Sequence, residues 1–391
     1  MVIIMIKTLK IKLKPNNKQK TKMFQFCSAK RFAYNWALAK QQENYKNGGK
    51  FINDNELRKE FTQLKKQEEY KWLYSISSNV TRQAIKDCCV AYKNFFTGKS
   101  KAPKFKSKKS DRPSFYVDGV KIKFTETHVK LENIATSKKK NKQKLNWIRL
   151  CEKNKIPIDC KYINPHVVCN GLEWFICVGI EVEDSQELPT NNGIGIDLGI
   201  KDLAVCSDNN TYKNINKTQK IKKLEKKKRR LQRSISRKYL NNKKGDSYCK
   251  TSNITKSEKR LLKLNHRLTN IRQDYINKST TEIIKRKPSF ITIEDLNIKG
   301  MMKNKHLSKA IQQQKLYEFR KQLEYKCKWN NIELRIVDRY FPSSKLCHNC
   351  GQIKSDLKLS DRIYKCECGY VEDRDYNASL NLRDAKIYKI A

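Results

Sequence analysis

The sequence predicts a multidomain protein of the α+β class, and three features support this prediction. Its 391 residues are enough for two or three domains, and 38% of them are hydrophobic, which is enough to build packed cores. Residues 6–14 alternate apolar side chains with lysines, the two-residue period of a half-buried strand. Residues 217–238, and a stretch that begins near Thr255, instead repeat apolar residues every three or four positions, as helices do. Strands therefore dominate the first half, whereas strands and helices mix in the second.

Helical patterns follow the opening strand in the first half. One spans 18–46, and another begins at Asn79 and ends at Gly98. The apolar runs "VKIKF", "WIRLC", "HVVCN" and "WFICVGIEV" then predict strands that complete a small β-domain with residues 6–14. The polar, turn-prone segment 185–192 predicts the main domain boundary.

The second half opens with "GIGIDLGIKDLAVC", which predicts a hairpin-like pair of strands. The two long helical segments that follow predict an antiparallel hairpin with a basic outer face, and Thr255 with Glu258 fits a capping box at the start of the second helix. Strands are predicted at 289–296 and 332–341, with a helix around 308–329 between them. This mixture predicts an α/β domain.

The charge balance favours a polyanionic partner. The chain has 86 Lys and Arg against 39 Asp and Glu, a formal net charge of +47, and such a field attracts nucleic acid. An anionic membrane surface is the alternative, but no apolar run approaches the ~20 residues that a spanning helix needs. "MVIIMIK" does not have the pattern of a signal peptide. With 14 cysteines and no secretory signal, the chain is expected in a reducing cytosol.

Two segments concentrate this positive charge. Residues 101–115 contain two prolines and many lysines, so they form either a solvated linker or a strip that grips phosphates and stacks a base. "SKKKNKQKL" predicts a basic loop. The candidate nucleic-acid contacts are Lys104, Phe105, Lys106, Lys108 and Lys109 in the strip, with Arg229 and Arg230 in the first helix of the hairpin.

Two carboxylates lie on predicted apolar strands. Asp197 interrupts "GIGIDLG", and Glu294 ends the run "FITIE". A carboxylate there is costly to desolvate unless it is paired or bound to a metal, and with a third acid the two would supply the oxygen ligands that Mg²⁺ prefers. The alternative is a pair of ordinary acids at strand ends. The third acid is sought near the C-terminus, where Asp373 and Asp375 are both candidates and Asp375 lies at or just inside a predicted helix N-terminus.

Four cysteines form the clearest local pattern. Cys347 and Cys350 have C-x-x-C spacing, Cys366 and Cys368 have C-x-C spacing, and about fifteen residues separate the pairs. This predicts a structural zinc site with four thiolate ligands. The C-x-C pair departs from the usual spacing, His348 is a possible substitute ligand, and disulfides are the weaker alternative.

Several segments together resemble one family, the TnpB proteins of bacterial insertion sequences, which are relatives of the compact type V CRISPR effector nucleases. The resemblance covers nearly the whole chain in the same order. It is carried by "RFAYNWALAKQQENYKN", "NVTRQAIKDCCVAYKNFFTGKSKAPKFKSKK", "GIGIDLGIKDLAVCSDN", "RLLKLNHRLTNIRQDYINKSTTEIIKRKPSFITIEDLNIKGM", "YFPSSKLCHNCG" and "CGYVEDRDYNASLNL".

The resemblance implies a division of the chain. It implies a β-barrel-like wedge domain with a helical recognition insertion, followed by a RuvC-like nuclease domain of RNase H-like fold that carries a helical hairpin and a zinc ribbon. In residue numbers, the divisions are 1–14 plus 114–185 for the wedge-like domain, 15–113 for the recognition lobe, 190–391 for the nuclease domain and, within it, 216–285 for the hairpin and 343–372 for the ribbon.

The resemblance also implies an activity. An RNA-guided DNA endonuclease would bind a transposon-derived guide RNA and double-stranded DNA beside a target-adjacent motif, as a monomer with RNA near the bacterial nucleoid. The catalytic triad, holding two Mg²⁺ ions, falls on Asp197, Glu294 and Asp375, because the family's third acid stands directly before "YNA". The four cysteines would hold Zn²⁺. The alternatives are a DNA-binding regulator that does not cut, against which the intact triad argues, and a strand-transferring transposase, for which no His-hydrophobe-His motif with a nucleophilic Tyr is found.

Overall fold

The computed structural model describes residues 4–135, 144–183, 192–358 and 360–391. The chain divides into two compact units, residues 1–183 and 184–391. The predicted basic loop "SKKKNKQKL" and the predicted boundary segment 185–192 lie largely outside the described residues. Among the helices within those ranges, none is both long enough and apolar enough to cross a membrane.

Within the described residues, the first unit combines a sheet with three α-helices. The prediction of a helix over 18–46 is confirmed, and the helix begins at Asn17 because Asn16 and Gln19 form a reciprocal capping box. Short 3₁₀ helices occur at Glu68–Ser75 and Lys144–Asn146. The elements in order are β1 (Ile4–Lys14), α1 (Asn17–Lys46), α2 (Asp54–Leu64), α3 (Ser78–Phe96), β2 (Ser114–Tyr116), β3 (Lys123–Phe124), β4 (His128–Lys130), β5 (Trp147–Leu150), β6 (Tyr162–Cys169) and β7 (Trp174–Glu183).

The sheet of the first unit is antiparallel and has the order β2-β6-β7-β1-β5-β4-β3. The opening strand β1 lies near its centre and pairs with β7 from Ile4 to Leu13. As the alternating pattern predicted, Ile11 and Leu13 are buried, whereas the lysines between them are not. Helix α1 packs against the sheet, with the rings of Phe26 and Phe115 5.2 Å apart.

The second unit contains a mixed sheet, a long helical hairpin and a small region, residues 343–373, that carries four cysteines and is called the cysteine hairpin. A 3₁₀ helix occurs at Ile215–Lys217. The elements in order are β8 (Ile194–Leu198), β9 (Asp202–Cys206), β10 (Thr211–Lys213), α4 (Gln219–Leu240), β11 (Lys243–Lys244), β12 (Ser247–Tyr248), α5 (Ser252–Lys285), β13 (Phe290–Glu294), α6 (Ile298–Met301), α7 (Ser308–Gln314), α8 (Leu316–Trp329), β14 (Glu333–Val337), β15 (Ile363–Lys365), β16 (Val371–Asp373), α9 (Arg374–Arg383) and β17 (Lys389–Ile390).

Two helix predictions need correction. The predicted helix 308–329 is two helices, because Lys315 adopts a left-handed conformation with φ of 56°. Ile311 and Leu316 are both buried, and a spacing of five residues would set them on different faces of one continuous helix. The break lets both reach the interior.

The predicted capping box at Thr255 and Glu258 is wrong. Helix α5 begins earlier, at Ser252, where the side chain of Thr251 accepts a hydrogen bond from the Ile254 amide. Glu258 instead accepts a hydrogen bond of 2.6 Å from the hydroxyl of Tyr239 on α4. Its carboxylate thereby joins the two helices of the hairpin.

The sheet of the second unit has the order β10-β9-β8-β13-β14-β17, in which β8, β13 and β14 are mutually parallel and the other pairs antiparallel. One face carries the apolar side chains Ile194, Ile196, Ile291 and Ile293, in one buried cluster with residues of α5 and α8. Helix α9 covers the opposite face. A Cβ atom on Gly195 would lie 2.0 Å from the carbonyl oxygen of Ser379, so this glycine allows α9 to approach the strand closely.

Candidate active site

Asp197 and Glu294 lie side by side at the ends of two parallel strands. Ile293 of β13 pairs in register with Ile196 of β8, so the next residue along each strand is Glu294 and Asp197. Side chains alternate along a strand, and Asp197 therefore points to the same face as Gly195, the face that α9 covers. The parallel pairing brings together two acids that are 97 residues apart in the sequence.

The surroundings of these two acids disfavour their charged forms. Both side chains are partly buried. Desolvation, followed by repulsion from Asp375 and Glu294, raises the pKa of Asp197 to about 7. Desolvation, followed by repulsion from Asp295, raises the pKa of Glu294 to about 7. Two neighbouring carboxylates with raised pKa values are typical of a functional site, since a bound cation would favour their charged forms.

Helix α9 begins beside these strand ends. The two candidates for the third acid, Asp373 and Asp375, lie at its start and have different contacts. Asp373 is the N-cap residue, and its side chain accepts hydrogen bonds from the amides of Asp375 (2.9 Å) and Tyr376 (3.2 Å). Asp375 lies within the first turn, and its charge contributes to the raised pKa of Asp197. The hydrogen bonds therefore give Asp373 a capping role, and of the two charges that of Asp375 contributes more to the raised pKa of Asp197.

Arginines contact the Asp375 carboxylate. The Arg374 guanidinium donates a hydrogen bond of 3.0 Å to Asp375 Oδ1, and Arg362 Nη1 lies 4.0 Å from Asp375 Oδ2. Among the residues described, only the four cysteines form a group whose ligand atoms are already placed to hold a metal ion. Sequence reasoning missed both arginines. The proximity of Arg374 in sequence could have indicated it, whereas Arg362 is brought close by the pairing of β15 with β16.

Asp295, the next acid after Glu294, has a different environment. It forms salt bridges of 2.7 Å with Arg320 and 2.9 Å with Arg339. The hydrogen bond from Arg320 is the main cause that lowers the pKa of Asp295. Asp295 is therefore a strand-end acid held in ion pairs, and its pKa is shifted in the opposite direction to that of Glu294.

The four cysteines form a separate cluster at the small hairpin. Their sulfur atoms all lie within 4.8 Å of one another, with 3.7 Å between Cys347 and Cys368 and 3.5 Å between Cys350 and Cys366. A tetrahedral zinc site with bonds of about 2.3 Å separates its sulfurs by about 3.8 Å. The donor atoms and their spacing thus fit Zn²⁺, and the short C-x-C pair reaches the cluster. His348 is directed elsewhere, with its Nδ1 3.8 Å from a carboxylate oxygen of Asp384.

The candidate nucleic-acid residues lie in varied surroundings. Phe105 has 53% of its surface exposed, and Lys104, Lys108, Lys109, Arg229 and Arg230 are exposed. Lys106 is instead held against α1, with its ammonium 3.8 Å from the centre of the Tyr34 ring and its backbone bonded to the Asn35 side chain in both directions. Desolvation lowers the pKa of Lys106. Its role in the strip is therefore partly to anchor it.

Three family models match the chain. Residues 1–50 match a "Helix-turn-helix domain" of the OrfB_IS605 type, residues 175–305 match OrfB_IS605, "Probable transposase", and residues 317–382 match a "Cas12f1-like, TNB domain". In the structure, residues 4–46 form a strand followed by a single long helix.

Curated relatives align along nearly the whole chain. The "Putative RNA-guided DNA endonuclease InsQ" of Escherichia coli strain K12 is 29% identical, across 96% of this chain and 91% of the relative. The "Putative RNA-guided DNA endonuclease" of Streptomyces pristinaespiralis is also 29% identical, across 96% of this chain and 88% of the relative. The solved "Structure of the mini-RNA-guided endonuclease CRISPR-Cas_phi3" overlaps at a TM-score of 0.45 and 10% identity, across 97% of this chain and 92% of the other.

The family models and the curated relatives define the class of this protein as the transposon-associated OrfB type. These matches confirm the resemblance to the TnpB family that the motifs predicted.

Proposed function

We propose that this protein is an RNA-guided DNA endonuclease of a transposable element, which uses a transposon-derived guide RNA and a target-adjacent motif to choose the DNA that it cuts. One observation carries the proposal. The in-register pairing of β8 with β13 sets Asp197 beside Glu294, on the face where the first turn of α9 carries Asp375. The names of the curated relatives support the same activity.

The fold of the second unit supports a RuvC-like assignment. The order β10-β9-β8-β13-β14, with three antiparallel strands followed by two parallel ones, is that expected of an RNase H-like nuclease domain. On this proposal the domain spans 190–391, the helical hairpin 216–285 and the zinc ribbon 343–372. The wedge-like domain would comprise residues 1–14 plus 114–185, and the recognition lobe residues 15–113.

The three acids would hold two Mg²⁺ ions. When bound, such a pair supplies an activated water and stabilises the leaving oxygen of a phosphodiester. Asp197 and Glu294 would offer oxygen ligands from adjacent strand ends, and Asp375 from the helix above them. Each carboxylate must lose its proton to serve as a ligand, and Asp375 must exchange its contact with Arg374 for one with the cation. The four cysteines would hold a structural Zn²⁺, with no coordination position left for substrate.

Nucleic acid would lie along basic surfaces of both units. Phe105 is exposed among Lys104, Lys108 and Lys109, an arrangement that suits base stacking with phosphate contacts. Arg229 and Arg230 offer a second basic surface on α4. In RNA-guided nucleases the sequence is read by base pairing, and the protein binds mainly the backbone. The net charge of +47 suits a protein that binds the phosphate backbone.

The test compares two acids that are two residues apart. The protein, copurified with the RNA of its native locus, is mixed with matching DNA and Mg²⁺. Asp375→Ala is expected to lower the cleavage rate by more than about 100-fold, because even groups one shell outside a metal site are worth 10- to 100-fold. Asp373→Ala is the matched control, and it should cleave at close to the wild-type rate while it costs about 1 kcal/mol of stability through the lost N-cap.

Each outcome decides between functions. Cleavage that survives Asp375→Ala would exclude Asp375 from the active site. Guided binding without cleavage by the wild-type protein would favour a regulator that occupies DNA without cutting it. Absence of copurified RNA would contradict the RNA-guided activity.

A further inference from the structure

Two buried asparagines on α9 connect that helix to the cysteine hairpin. Asn377 and Asn381 are one helical turn apart, and their exposed fractions are 0% and 4%. Buried carboxamides are costly to desolvate unless their polar atoms are satisfied. Here their hydrogen-bonding atoms are satisfied by backbone atoms of residues on both sides of Cys347.

The contacts of Asn377 bracket Cys347. Its Nδ2 donates a hydrogen bond of 2.8 Å to the carbonyl oxygen of Leu346, the residue before Cys347. Its Oδ1 accepts one of 3.2 Å from the amide of His348, the residue after. A carboxamide can donate and accept at once, whereas an ionised carboxylate of the same shape can only accept.

Asn381 extends the same connection. Its Nδ2 donates to the carbonyl oxygens of Leu346 at 2.7 Å and of Ser343 at 2.8 Å. The Leu346 carbonyl therefore accepts from both asparagines. The backbone beside Cys347 is also held within the cysteine hairpin, because the Cys347 amide donates to the Gln352 carbonyl and the Gly351 amide donates to the Cys347 carbonyl. The asparagines thus contact the backbone on both sides of Cys347, one of the four cysteines of the cluster.

The rest of α9 faces the sheet. The Ser379 carbonyl and the Arg383 backbone pack directly over Gly195 of β8, two residues before Asp197. Asp375 lies half a turn before Asn377 on the same helix. Helix α9 therefore packs between two surfaces, the acid-bearing sheet and the cysteine hairpin.

We propose that Asn377 and Asn381 are positioning residues that couple the zinc site to Asp375. Zinc ligation holds the backbone around Cys347, the two asparagines transmit that position to α9, and α9 sets Asp375 against Asp197. The proposal rests on the proposed function for its catalytic consequence, but the coupling itself is a property of the folded chain and is measurable without cleavage.

The first experiment uses the wild-type full chain and backbone hydrogen exchange. Removal of zinc with a chelator is expected to raise the exchange rates of α9 amides from Ala378 to Arg383 by at least about tenfold, the factor that corresponds to 1.4 kcal/mol. Exchange in β1 and β7 of the first unit should not change. Unchanged protection of α9 after zinc removal would overturn the proposal.

The second experiment uses Asn377→Asp, which keeps the shape and the acceptor but replaces the donor to Leu346 with a carboxylate oxygen. The variant is expected to retain one zinc ion per chain and to show, while loaded with zinc, the raised α9 exchange that the wild type shows only after chelation. The Mg²⁺ concentration at half-maximal cleavage should rise about tenfold, with recovery at higher Mg²⁺. Asn253→Asp makes the same charge change at an exposed site in the first turn of α5 and should behave as wild type.

The outcomes separate this proposal from the proposed function. Wild-type α9 exchange and an unchanged Mg²⁺ requirement in zinc-loaded Asn377→Asp would overturn the coupling even if the protein cleaves DNA. If the protein proves not to cleave, the exchange measurements still decide whether zinc, the asparagines and α9 are coupled. If Asn377→Asp does not fold, the wild-type chelation experiment alone gives the answer.

Discussion

The cysteine cluster and the acid cluster meet along the chain only at Asp375, seven residues after Cys368, and they are built in different ways. The cysteines come from one stretch of 22 residues, 347–368, and their sulfurs already have ligand spacing. The acids come from three distant segments and do not form such a group among the described residues, and Asp375 accepts a hydrogen bond from Arg374. Thiols approach one another at little electrostatic cost while they are protonated, whereas three carboxylates repel one another until a cation or an arginine offsets their charge.

This difference indicates what each metal contributes. Zinc would stabilise a small hairpin that has little core of its own, so removal of zinc should unfold the hairpin. Magnesium would offset the mutual repulsion of the three carboxylates, which the fold tolerates. Without Mg²⁺ the structure should therefore persist, with the carboxylates partly protonated. Three changes test this contrast.

The largest effect is expected from Cys350→Ser. Loss of one thiolate ligand should abolish zinc binding and unfold the hairpin locally, because the metal supplies much of the stability of such small sites. Metal analysis should find one zinc ion per wild-type chain and none in the variant, and exchange of the β15 and β16 amides should approach that of an unfolded chain. Cys249→Ser is the control, since Cys249 is exposed and outside the cluster. A variant that keeps its zinc would contradict the four-thiolate site.

An intermediate effect is expected from Gly195→Ala. The new Cβ would lie 2.0 Å from the Ser379 carbonyl oxygen and 2.4 Å from the Arg383 amide nitrogen, both backbone atoms that cannot turn aside. Overpacking of this kind costs about 1–3 kcal/mol or more, and here it would displace α9 from Asp197. Thermal unfolding should report the loss, with Gly199→Ala, whose nearest contact is 3.2 Å, as the milder control. Zinc should remain bound, because none of its four thiolate ligands lies on α9. A fall in melting temperature no larger than that of Gly199→Ala would contradict the close approach of α9 to the strand.

The smallest effect, of opposite sign, is expected from Asp197→Asn in buffer without added Mg²⁺. The pKa of Asp197 is about 7 in the folded protein and near its ordinary value of 3.8 in the unfolded chain. Between these values the folded state binds more protons, so the charged carboxylate destabilises the fold fully above pH 7 and progressively less as the pH falls towards 4. The variant should therefore melt higher than wild type at pH 8, by about 2–4 °C for each 1 kcal/mol relieved.

The pH dependence supplies the control for this prediction. The difference in melting temperature between Asp197→Asn and wild type should shrink as the pH falls from 7 to 4, because the wild-type carboxyl becomes protonated in the folded state. Asp208 forms a salt bridge with Arg286, so its charge stabilises the folded state. An Asp208→Asn variant should therefore lower the melting temperature. A variant of Asp197 that melts lower than wild type at pH 8 would contradict the electrostatic conflict at the acid cluster.

Local sequence patterns predicted those elements of the fold whose conformation depends only on short-range periodicity. The alternation in residues 6–14 predicted β1, and the periodicity of 18–46 predicted α1, because each pattern needs only one buried face. The pattern around 308–329 was misleading, because Lys315 takes a left-handed conformation that only the packing of Ile311 and Leu316 requires. The start of α5 was placed too late, because Glu258 serves the opposite helix instead of its own N-terminus.

The sequence by itself determined the four cysteines, the apolar strands that carry Asp197 and Glu294, and the basic character of the surface, because each of these depends on residue type and short spacing. Only the tertiary structure decided which acids meet. The parallel register of β8 with β13, and the approach of α9 over Gly195, are long-range pairings that no local pattern encodes. The tertiary structure also gave Asn377 its contacts around Cys347, since these hydrogen bonds exist only once α9 and the cysteine hairpin have packed together, whereas the capping bonds of Asp373 are local to the start of α9.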